Sequence, residues 1–193
     1  MSNKGPRIVV ITAPSGSGKT SIARRVLAAF PSMRFSVSAT TRPARRGERD
    51  GVDYWFMDAA GFERLVAEDA FIEREQVYPG RWYGTLHSEV DRSTTAAPVL
   101  LDVDVRGAEN VKRVFGADAL GIFIRPPSYD ILEARLRARG TESAADLEVR
   151  LARVRDELTH EDRFDAVVVN DDLDRAVEET IGLVRSFLAG PSV

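Results

Sequence analysis

A glycine-rich segment near the start of the chain has the residue types of a phosphate-binding loop. It follows the apolar run Ile8 to Thr12, precedes a helix-like segment that opens at Ser21, and reads Ala13-Pro14-Ser15-Gly16-Ser17-Gly18-Lys19-Thr20. Glycines let successive backbone N–H groups turn toward one anion, and the N-terminus of the following helix adds partial positive charge. In such a loop the lysine reaches the β- and γ-phosphates of ATP, and the threonine hydroxyl holds Mg²⁺. We therefore predict an ATP site at residues 13–21, although the strict motif has glycine where Ala13 stands.

A second candidate element is an apolar run that ends in two carboxylates. Residues Val99 to Leu101 precede Asp102 and Asp104. If one strand continues through both acids, the alternation of side chains places them on one face, about 7 Å apart. Ligands of open α/β sheets gather at the carboxyl ends of strands, so both acids should face the phosphate loop. We expect Asp102 to orient the hydrated metal ion and Asp104 to face the second substrate.

Apolar runs alternate with helix-like segments along most of the chain, and this order predicts the scaffold that positions the site. The runs lie at residues 7–12, 98–104, 119–124 and 166–169, and a helical segment follows each of them. Such alternation is typical of the α/β class, with a parallel sheet covered by helices. The last helix is predicted from Leu173 to Ala189, because apolar residues recur at helical spacing and Gly190 supplies a stop.

Residues 36–92 differ in amino-acid composition from the segments on either side. They hold both tryptophans, three of the four tyrosines and five arginines between Arg42 and Arg64. We interpret this segment as a smaller subdomain that receives the second substrate. The remainder forms the core of one domain, at residues 1–35, 93–134 and 151–193.

A second irregular segment, residues 135–150, is rich in arginine. One helix is predicted to end there at Gly140 and another to restart at Ser143, whose spacing to Asp146 fits a capping signature. A short pair of helices of this kind is either a movable lid or a solvated connection.

The composition excludes several other classes of protein. The 193 residues include 27 basic and 30 acidic side chains, a net charge of −3, which argues against nucleic acid as a partner. Cysteine is absent and histidine occurs only at His87 and His160, so a zinc enzyme is not expected. The apolar run at Ile8 to Ile11 is too short for a signal sequence or a membrane span. We expect a soluble, cytoplasmic protein without a membrane partner.

Several motifs taken together resemble those of the guanylate kinase family. Besides the phosphate loop they are Ser36 to Arg45, Gly51 to Phe56, Tyr83-Gly84-Thr85, Leu101 to Gly107, Arg139-Gly140-Thr141 and Val169 to Leu173. The resemblance covers nearly the whole chain. It implies a P-loop NTPase-like fold with a GMP-binding subdomain and a helical lid. It also implies Mg²⁺-dependent phosphoryl transfer from ATP to GMP or dGMP, a reaction of purine nucleotide metabolism.

The resemblance further implies roles for individual residues. The GMP phosphate would be bound by Arg42, Arg45, Tyr54 and Tyr83, and guanine would be faced by Ser38, Glu73, Thr85 and Asp104. With Asp102 these residues complete the implied GMP site. Arg135, Arg139 and Arg150 would come from the lid over ATP, and Asn170 would lie near the nucleotides. The candidates for catalysis are Lys19, Arg42, Arg135, Arg139 and Arg150.

The chemistry of these residues agrees with the implied roles. Arginines and phenols suit a phosphate dianion. Glu73 follows the apolar pair Phe71-Ile72 and could accept hydrogen bonds from N1–H and the 2-amino group of guanine, whereas adenine would leave a buried acid unpaired. The segment from Glu73 to Tyr83 is one residue longer than is usual in the family. We expect the extra residue to bulge at Pro79-Gly80, and Glu75 remains a second candidate for the base-reading acid.

Two other functions remain open at this stage. A kinase for another nucleoside monophosphate would keep the loop and change only the base pocket. A guanylate-kinase-like module that binds a phosphorylated partner would perform no chemistry, but such modules typically lack a working phosphate loop, whereas Gly18, Lys19 and Thr20 are present here.

Overall fold

The chain folds into a parallel sheet flanked by helices and a second, smaller sheet. The computed structural model describes residues 5–78, 80–91, 93–138 and 144–190. In chain order the strands and helices are β1 (Ile8–Thr12), α1 (Lys19–Ala29), β2 (Arg34–Phe35), β3 (Ala39–Thr40), β4 (Trp55–Phe56), α2 (Ala59–Ala67), β5 (Phe71–Tyr78), β6 (Arg81–Leu86), α3 (His87–Val90), β7 (Val99–Asp102), α4 (Val105–Phe115), β8 (Ala119–Arg125), α5 (Tyr129–Ala138), α6 (Ala144–Leu158), β9 (Ala166–Val169) and α7 (Leu173–Ala189).

The larger sheet has the order β2-β7-β1-β8-β9, and all of its pairings are parallel. Strand β1 lies in the middle and is buried along its whole length, because helices cover both faces of the sheet. Val9 and Ile11 pack with α1 and α7, whereas Ile8 and Val10 pack with α4 on the opposite face. The predicted α/β class and parallel sheet are confirmed.

Strand β7 is shorter than the sequence predicts, because it ends at Asp102. Asp104 is instead the N-cap of α4, and its Oδ1 accepts a 2.8 Å hydrogen bond from the backbone N–H of Gly107. The expectation that alternation along one strand sets the relation of the two acids is therefore wrong. In the pairing with β1, Asp102 lies opposite Ile11, next to the start of the glycine-rich loop.

The smaller sheet has the order β4-β3-β6-β5 and falls within the predicted subdomain. Strands β5 and β6 form an antiparallel hairpin. Helix α2 covers one face of it, with the ring of Phe62 stacked at 4.5 Å on that of Phe71. The other face of the hairpin meets the larger sheet, where Ile72 joins the apolar core that includes residues of β1 and β7.

The hairpin of β5 and β6 is irregular at two places along β5. The register of β5 against β6 shifts by one residue twice, at Ile72 and at Val77, and neither residue has an opposite partner on β6. Gly80, with a φ of 72°, belongs to the tight turn that follows, and Pro79 lies outside the described residues. The bulge predicted at Pro79-Gly80 stays a prediction, and the described irregularities of the hairpin lie at Ile72 and Val77.

Helices α5 and α6 pack against each other through a small apolar cluster of Leu132, Leu136, Leu151 and Val154. The cluster extends on both sides of the predicted lid at residues 135–150, since each helix continues past those limits. The predicted helix end at Gly140 and the capping residue Ser143 lie outside the described residues. The division into core, subdomain and lid stays a prediction.

The last helix has the predicted limits. Asp172 caps it by accepting a hydrogen bond of 2.9 Å from the backbone N–H of Arg175, and Gly190 follows with a φ of 76°. Its buried residues include Val177 and Val184, which join the core on the α1 side of the sheet. Within the described ranges, no helix has both the length and the apolar character that crossing a bilayer requires.

Candidate active site

A cavity of about 860 Å³ is lined by residues of both sheets and of α6. The predicted site residues that line it are Ala13 to Ser21, Ser38, Arg45, Tyr54, Glu73, Tyr83, Asp102, Asp104 and Arg150. The structure therefore brings the predicted phosphate loop together with most of the predicted acceptor residues. The cavity thus has the glycine-rich loop on one side and acids, an arginine and phenols of the smaller sheet and its loops on another.

The glycine-rich loop has the backbone conformation that an anion cradle needs. Gly16 and Gly18 have φ angles of 93° and 90°, in the left-handed region that favours glycine. A β-carbon at Gly18 would also lie only 2.3 Å from Nδ2 of Asn170. Helix α1 begins at Lys19, so its N-terminus adjoins the loop and adds partial positive charge. Glycine at position 18 is thus required for both backbone and packing reasons.

Asn170 supports this loop from behind. Its Nδ2 donates a 2.6 Å hydrogen bond to the carbonyl oxygen of Ser17. Asn170 is buried and is not among the side chains that line the cavity in the described part of the chain. The structure therefore gives Asn170 a role in holding the loop, and a direct contact with ATP stays a prediction.

The Lys19 ammonium is held at the end of β7. Its Nζ lies 2.6 Å from Oδ1 of Asp102 and donates a 2.7 Å hydrogen bond to the carbonyl oxygen of Val103. Burial alone would lower the pKa of Lys19, but the adjacent Asp102 carboxylate outweighs it and raises that pKa above its ordinary value. Lys19 is therefore a fixed positive charge at neutral pH, beside the cradle of backbone amides.

The Glu73 carboxylate is buried on the side of the cavity that the smaller sheet forms. Only 7% of Glu73 is exposed, and its Oε1 accepts a 2.6 Å hydrogen bond from Oγ1 of Thr85, its register partner on β6. Burial raises the pKa of Glu73 to about 7, while the bond from Thr85 opposes this rise and the charge of Asp104 adds to it. Thr85 is fully buried and positions Glu73 without lining the cavity itself.

Glu75 also lines the cavity, two residues further along β5. It pairs in register with Tyr83, and its carboxylate lies 3.9 Å from Nη1 of Arg106. Burial raises the pKa of Glu75 as well, opposed by Arg106 and Arg153. Glu75 is more exposed than Glu73 and has a cation nearby, so the buried Glu73 is the stronger candidate for reading a base.

Arg42 is buried beneath the cavity rather than along its wall. Its Nη1 and Nη2 each donate a 2.9 Å hydrogen bond to the Glu48 carboxylate, and Nη1 donates another of 2.7 Å to the carbonyl oxygen of Pro43. The guanidinium lies over the rings of Tyr54 and Phe56, at 5.2 and 5.6 Å from their centroids. The sequence predicted Arg42 but not this forked pair, which fixes the plane of the guanidinium.

Two phenols lie next to this arginine. The rings of Tyr54 and Tyr83 meet edge to face, with centroids 5.9 Å apart, and both residues line the cavity with Arg45. Burial raises the pKa of Tyr54, so its hydroxyl stays protonated and can donate a hydrogen bond. The predicted phosphate-binding residues thus lie together, with the Arg42 guanidinium over the ring of Tyr54.

The arginines predicted for the lid have different positions. Arg150 lines the cavity, whereas Arg135 is exposed on α5 and does not line it. Arg139 lies outside the described residues. A further arginine that the sequence analysis missed, Arg153, lines the cavity together with Glu157. The spacing of four between Arg153 and Glu157 on a helix is the one signal that could have indicated them.

The parallel sheet, the loop between β1 and α1 and the anchored lysine define the class of P-loop nucleotide-binding proteins. Glu73, Arg45 and Tyr54 face the same cavity as that loop. The chain belongs to the guanylate kinase family, because the family model described as guanylate kinase matches residues 5–186.

Individual relatives agree with this assignment. The chain is 57% identical over 182 residues to a guanylate kinase of Salinibacter ruber, covering 94% of this chain and 97% of that protein. It is 49% identical to a guanylate kinase of Chlorobium luteolum, covering 95% and 93%. The crystal structure of guanylate kinase from Anaplasma phagocytophilum superposes with a TM-score of 0.77 at 30% identity, covering 96% of this chain and 87% of that one.

Proposed function

We propose that this chain transfers the γ-phosphoryl group of ATP to GMP, giving ADP and GDP, with its cavity divided between the two nucleotides. Membership in the guanylate kinase family supports the reaction. The observation that carries the proposed division is that Lys19, beside the glycine-rich loop, and the buried acid Glu73 line the same cavity from different elements. The residues that bind the phosphates of ATP are thereby separated from those that bind the base of GMP, as selection of one nucleotide acceptor requires.

The donor side consists of residues 13–21, with Asn170 behind them. The loop amides and the N-terminus of α1 receive the phosphates of ATP. Lys19 is anchored to Asp102 and Val103, and a triphosphate offers a denser negative charge to which its ammonium can turn. Lys19 then neutralises charge on the β- and γ-phosphates during transfer.

The residues present fit Mg²⁺ as the cofactor. Thr20, in the first turn of α1, and Asp102, at the end of β7, both line the cavity and offer hard oxygen donors. Mg²⁺ keeps several water molecules and takes one or two carboxylates with substrate phosphates, so this small donor set suits it. When bound, the ion neutralises negative charge that develops on the phosphate oxygens.

The acceptor phosphate is bound by Arg42, Arg45, Tyr54 and Tyr83. One oxygen of the GMP phosphate forms a bond to the γ-phosphorus as the bond to the bridging oxygen of ADP breaks. The second pKa of a phosphate monoester is near ~6, so the attacking oxygen is already anionic at neutral pH and no general base is needed. The difficult step is to bring two anions together, which the arginines and Lys19 achieve by charge and position.

Guanine is read by Glu73 and Asp104, with Ser38 and Thr85 beside them. An ionised Glu73 accepts hydrogen bonds from N1–H and the 2-amino group. Adenine has an acceptor at N1 and no 2-amino group, so it would leave the buried acid unpaired. GMP and dGMP present the same base and phosphate, and both are substrates.

The arginines Arg135, Arg139 and Arg150 add positive charge over the transferred group when the segment 135–150 closes as a lid. Closure also excludes water, which would otherwise hydrolyse ATP. We place the reaction in the cytoplasm, with small-molecule substrates as partners and without nucleic acid or membrane.

A panel of acceptors tests this function. Release of ADP from ATP and Mg²⁺ is measured with GMP, dGMP, AMP, CMP and UMP at equal concentrations. We expect turnover with GMP and dGMP at least about 10²-fold above that with the other three, because a buried acid left unpaired costs several kcal/mol. Turnover with AMP that equals turnover with GMP would show that Glu73 does not read the base.

A further inference from the structure

Arg153, on helix α6, connects three parts of the molecule that are distant in sequence. Its Nε donates a 2.7 Å hydrogen bond to Oε1 of Glu157 on the same helix. Its Nη1 donates one of 2.8 Å to the carbonyl oxygen of Val77 on β5, and its Nη2 one of 3.0 Å to Oδ2 of Asp104. The planar guanidinium thereby ties α6 to the smaller sheet and to the start of α4.

The contact with Val77 depends on the bulge in β5. Val77, like Ile72, is a described residue of β5 without an opposite partner on β6, so the ladder is interrupted there. The Val77 carbonyl oxygen instead accepts its hydrogen bond from Arg153. The bulged residue Val77 thus supplies a point at which α6 is attached to the smaller sheet.

The contact with Asp104 fixes the orientation of its carboxylate. Oδ1 accepts a hydrogen bond from the N–H of Gly107, and Oδ2 accepts one from Arg153, so the two oxygens are held from opposite sides. Each carboxylate oxygen can accept a second hydrogen bond, which leaves Asp104 able to bind the base. Without Arg153, the hydrogen bond from Gly107 would hold only Oδ1 and leave the carboxylate freer to turn about its Cβ–Cγ bond.

The surroundings of Arg153 are acidic. Glu73, Glu75, Asp104 and Glu157 all line the cavity near it. Burial raises the pKa of Glu157, and the hydrogen bond from Arg153 opposes that rise. Arg153 therefore offsets repulsion among carboxylates that would otherwise push Asp104 away from Glu73.

We propose that Arg153 is a positioning residue for guanine recognition: it holds Asp104 where that acid accepts a hydrogen bond from the 2-amino group. The inference rests on the proposed role of Asp104 toward guanine. The proposal predicts that removing Arg153 lowers activity with GMP selectively. GMP carries the 2-amino group and inosine monophosphate lacks it, so only the use of GMP should depend on Arg153.

The test compares the variant Arg153→Met with the native enzyme. We expect kcat/KM for GMP to fall about 10-fold, as for the loss of one hydrogen bond to a charged group, and kcat/KM for inosine monophosphate to change less than about 2-fold. The KM for ATP should stay unchanged. Arg155→Met is the matched control, because it makes the same change on the same helix, where Arg155 lies 4.9 Å over the ring of Tyr129.

The outcomes separate the inference from the proposed function. A native enzyme that prefers GMP and an Arg153→Met variant that keeps this preference would overturn the role of Arg153 alone. A native enzyme without the preference would overturn the guanine role of Asp104, and the inference with it. Arg153→Lys keeps the charge but not the planar fork, and it carries the same test if Arg153→Met does not fold. Full rescue by lysine would contradict positioning by the fork.

Discussion

The Glu73 carboxylate and the Thr85 hydroxyl face each other across the β5–β6 pair, with 2.6 Å between Oε1 and Oγ1. This bond stabilises the ionised acid, but burial outweighs it and raises the pKa of Glu73 to about 7. Ionisation of the acid therefore falls within the working pH range of an enzyme. This ionisation should affect both the binding of GMP and the free energy of unfolding.

Binding of GMP should depend on the ionisation of Glu73. In the free enzyme Glu73 is protonated at pH values below its pKa of about 7. The protonated acid has one acceptor fewer for the N–H donors of guanine. We expect kcat/KM for GMP to fall as the pH drops through 7, whereas the KM for ATP stays flat. In Glu73→Gln the step near pH 7 should vanish, leaving the ionisation of the GMP phosphate near pH ~6. A step near pH 7 that persists in Glu73→Gln would assign it to another group.

The stability of the folded protein should change with pH in the opposite direction to GMP binding. The pKa of Glu73 rises from 4.5 in the unfolded chain to about 7 in the folded one, so the folded state binds the proton more tightly. The stability that this proton confers is complete below pH 4.5 and is lost as the pH rises to 7. Glu73→Gln removes this loss and keeps an oxygen for the Thr85 hydroxyl.

We therefore expect Glu73→Gln to raise the free energy of unfolding at pH 8 by up to about 3 kcal/mol, and to leave it nearly unchanged at pH 4. Urea unfolding at both pH values measures the difference. Glu75→Gln, on the same strand but more exposed, is the control and should show a smaller gain. Equal effects of Glu73→Gln at the two pH values would contradict the assignment. The expected result means that this chain gives up stability to keep a base-reading acid buried.

The loop conformation provides a third prediction, with two glycines as a matched pair. Gly18→Ala places a β-carbon 2.3 Å from Asn170 Nδ2, at a φ of 90°. We expect kcat to fall at least about 10²-fold, because the loop amides and Lys19 would be displaced. Gly182→Ala, in α7 with nothing within 4 Å of the added carbon, should raise stability by about 0.5 to 1 kcal/mol and leave kcat unchanged. Steady-state kinetics and urea unfolding of both variants distinguish the two roles.

Much of the scaffold follows from local sequence patterns. The buried apolar strands, the loop between β1 and α1, and the ends of α7 are set by residues adjacent in the chain, so spacing and glycine positions predict them. The end of β7 is different. Asp104 fits a continuing strand as well as it fits the cap of α4, and only its hydrogen bond to the N–H of Gly107 decides between them.

The site residues that the sequence missed depend on long-range contacts. Arg153 meets Asp104 across 49 positions and Val77 across 76, and no periodic pattern records such pairs. The Arg42–Glu48 pair is closer in sequence, but the residues could equally have been separate surface charges. The family resemblance predicts roles toward the substrates, whereas the contacts that hold those residues in place are visible only in the folded chain.

The two described lysines offer the final prediction, since each is anchored and only one adjoins the phosphate loop. Lys19→Met should lower kcat by about 10³-fold or more, because the ammonium acts on the phosphates. The variant protein should still unfold in one cooperative transition. Lys112 donates a 2.7 Å hydrogen bond to the Ala119 carbonyl oxygen and pairs with Asp165 at 2.7 Å, away from the cavity. Lys112→Met should therefore lower the free energy of unfolding by about 1 to 2 kcal/mol and leave kcat unchanged. Near-native turnover in Lys19→Met would show that this loop does not bind the donor phosphates.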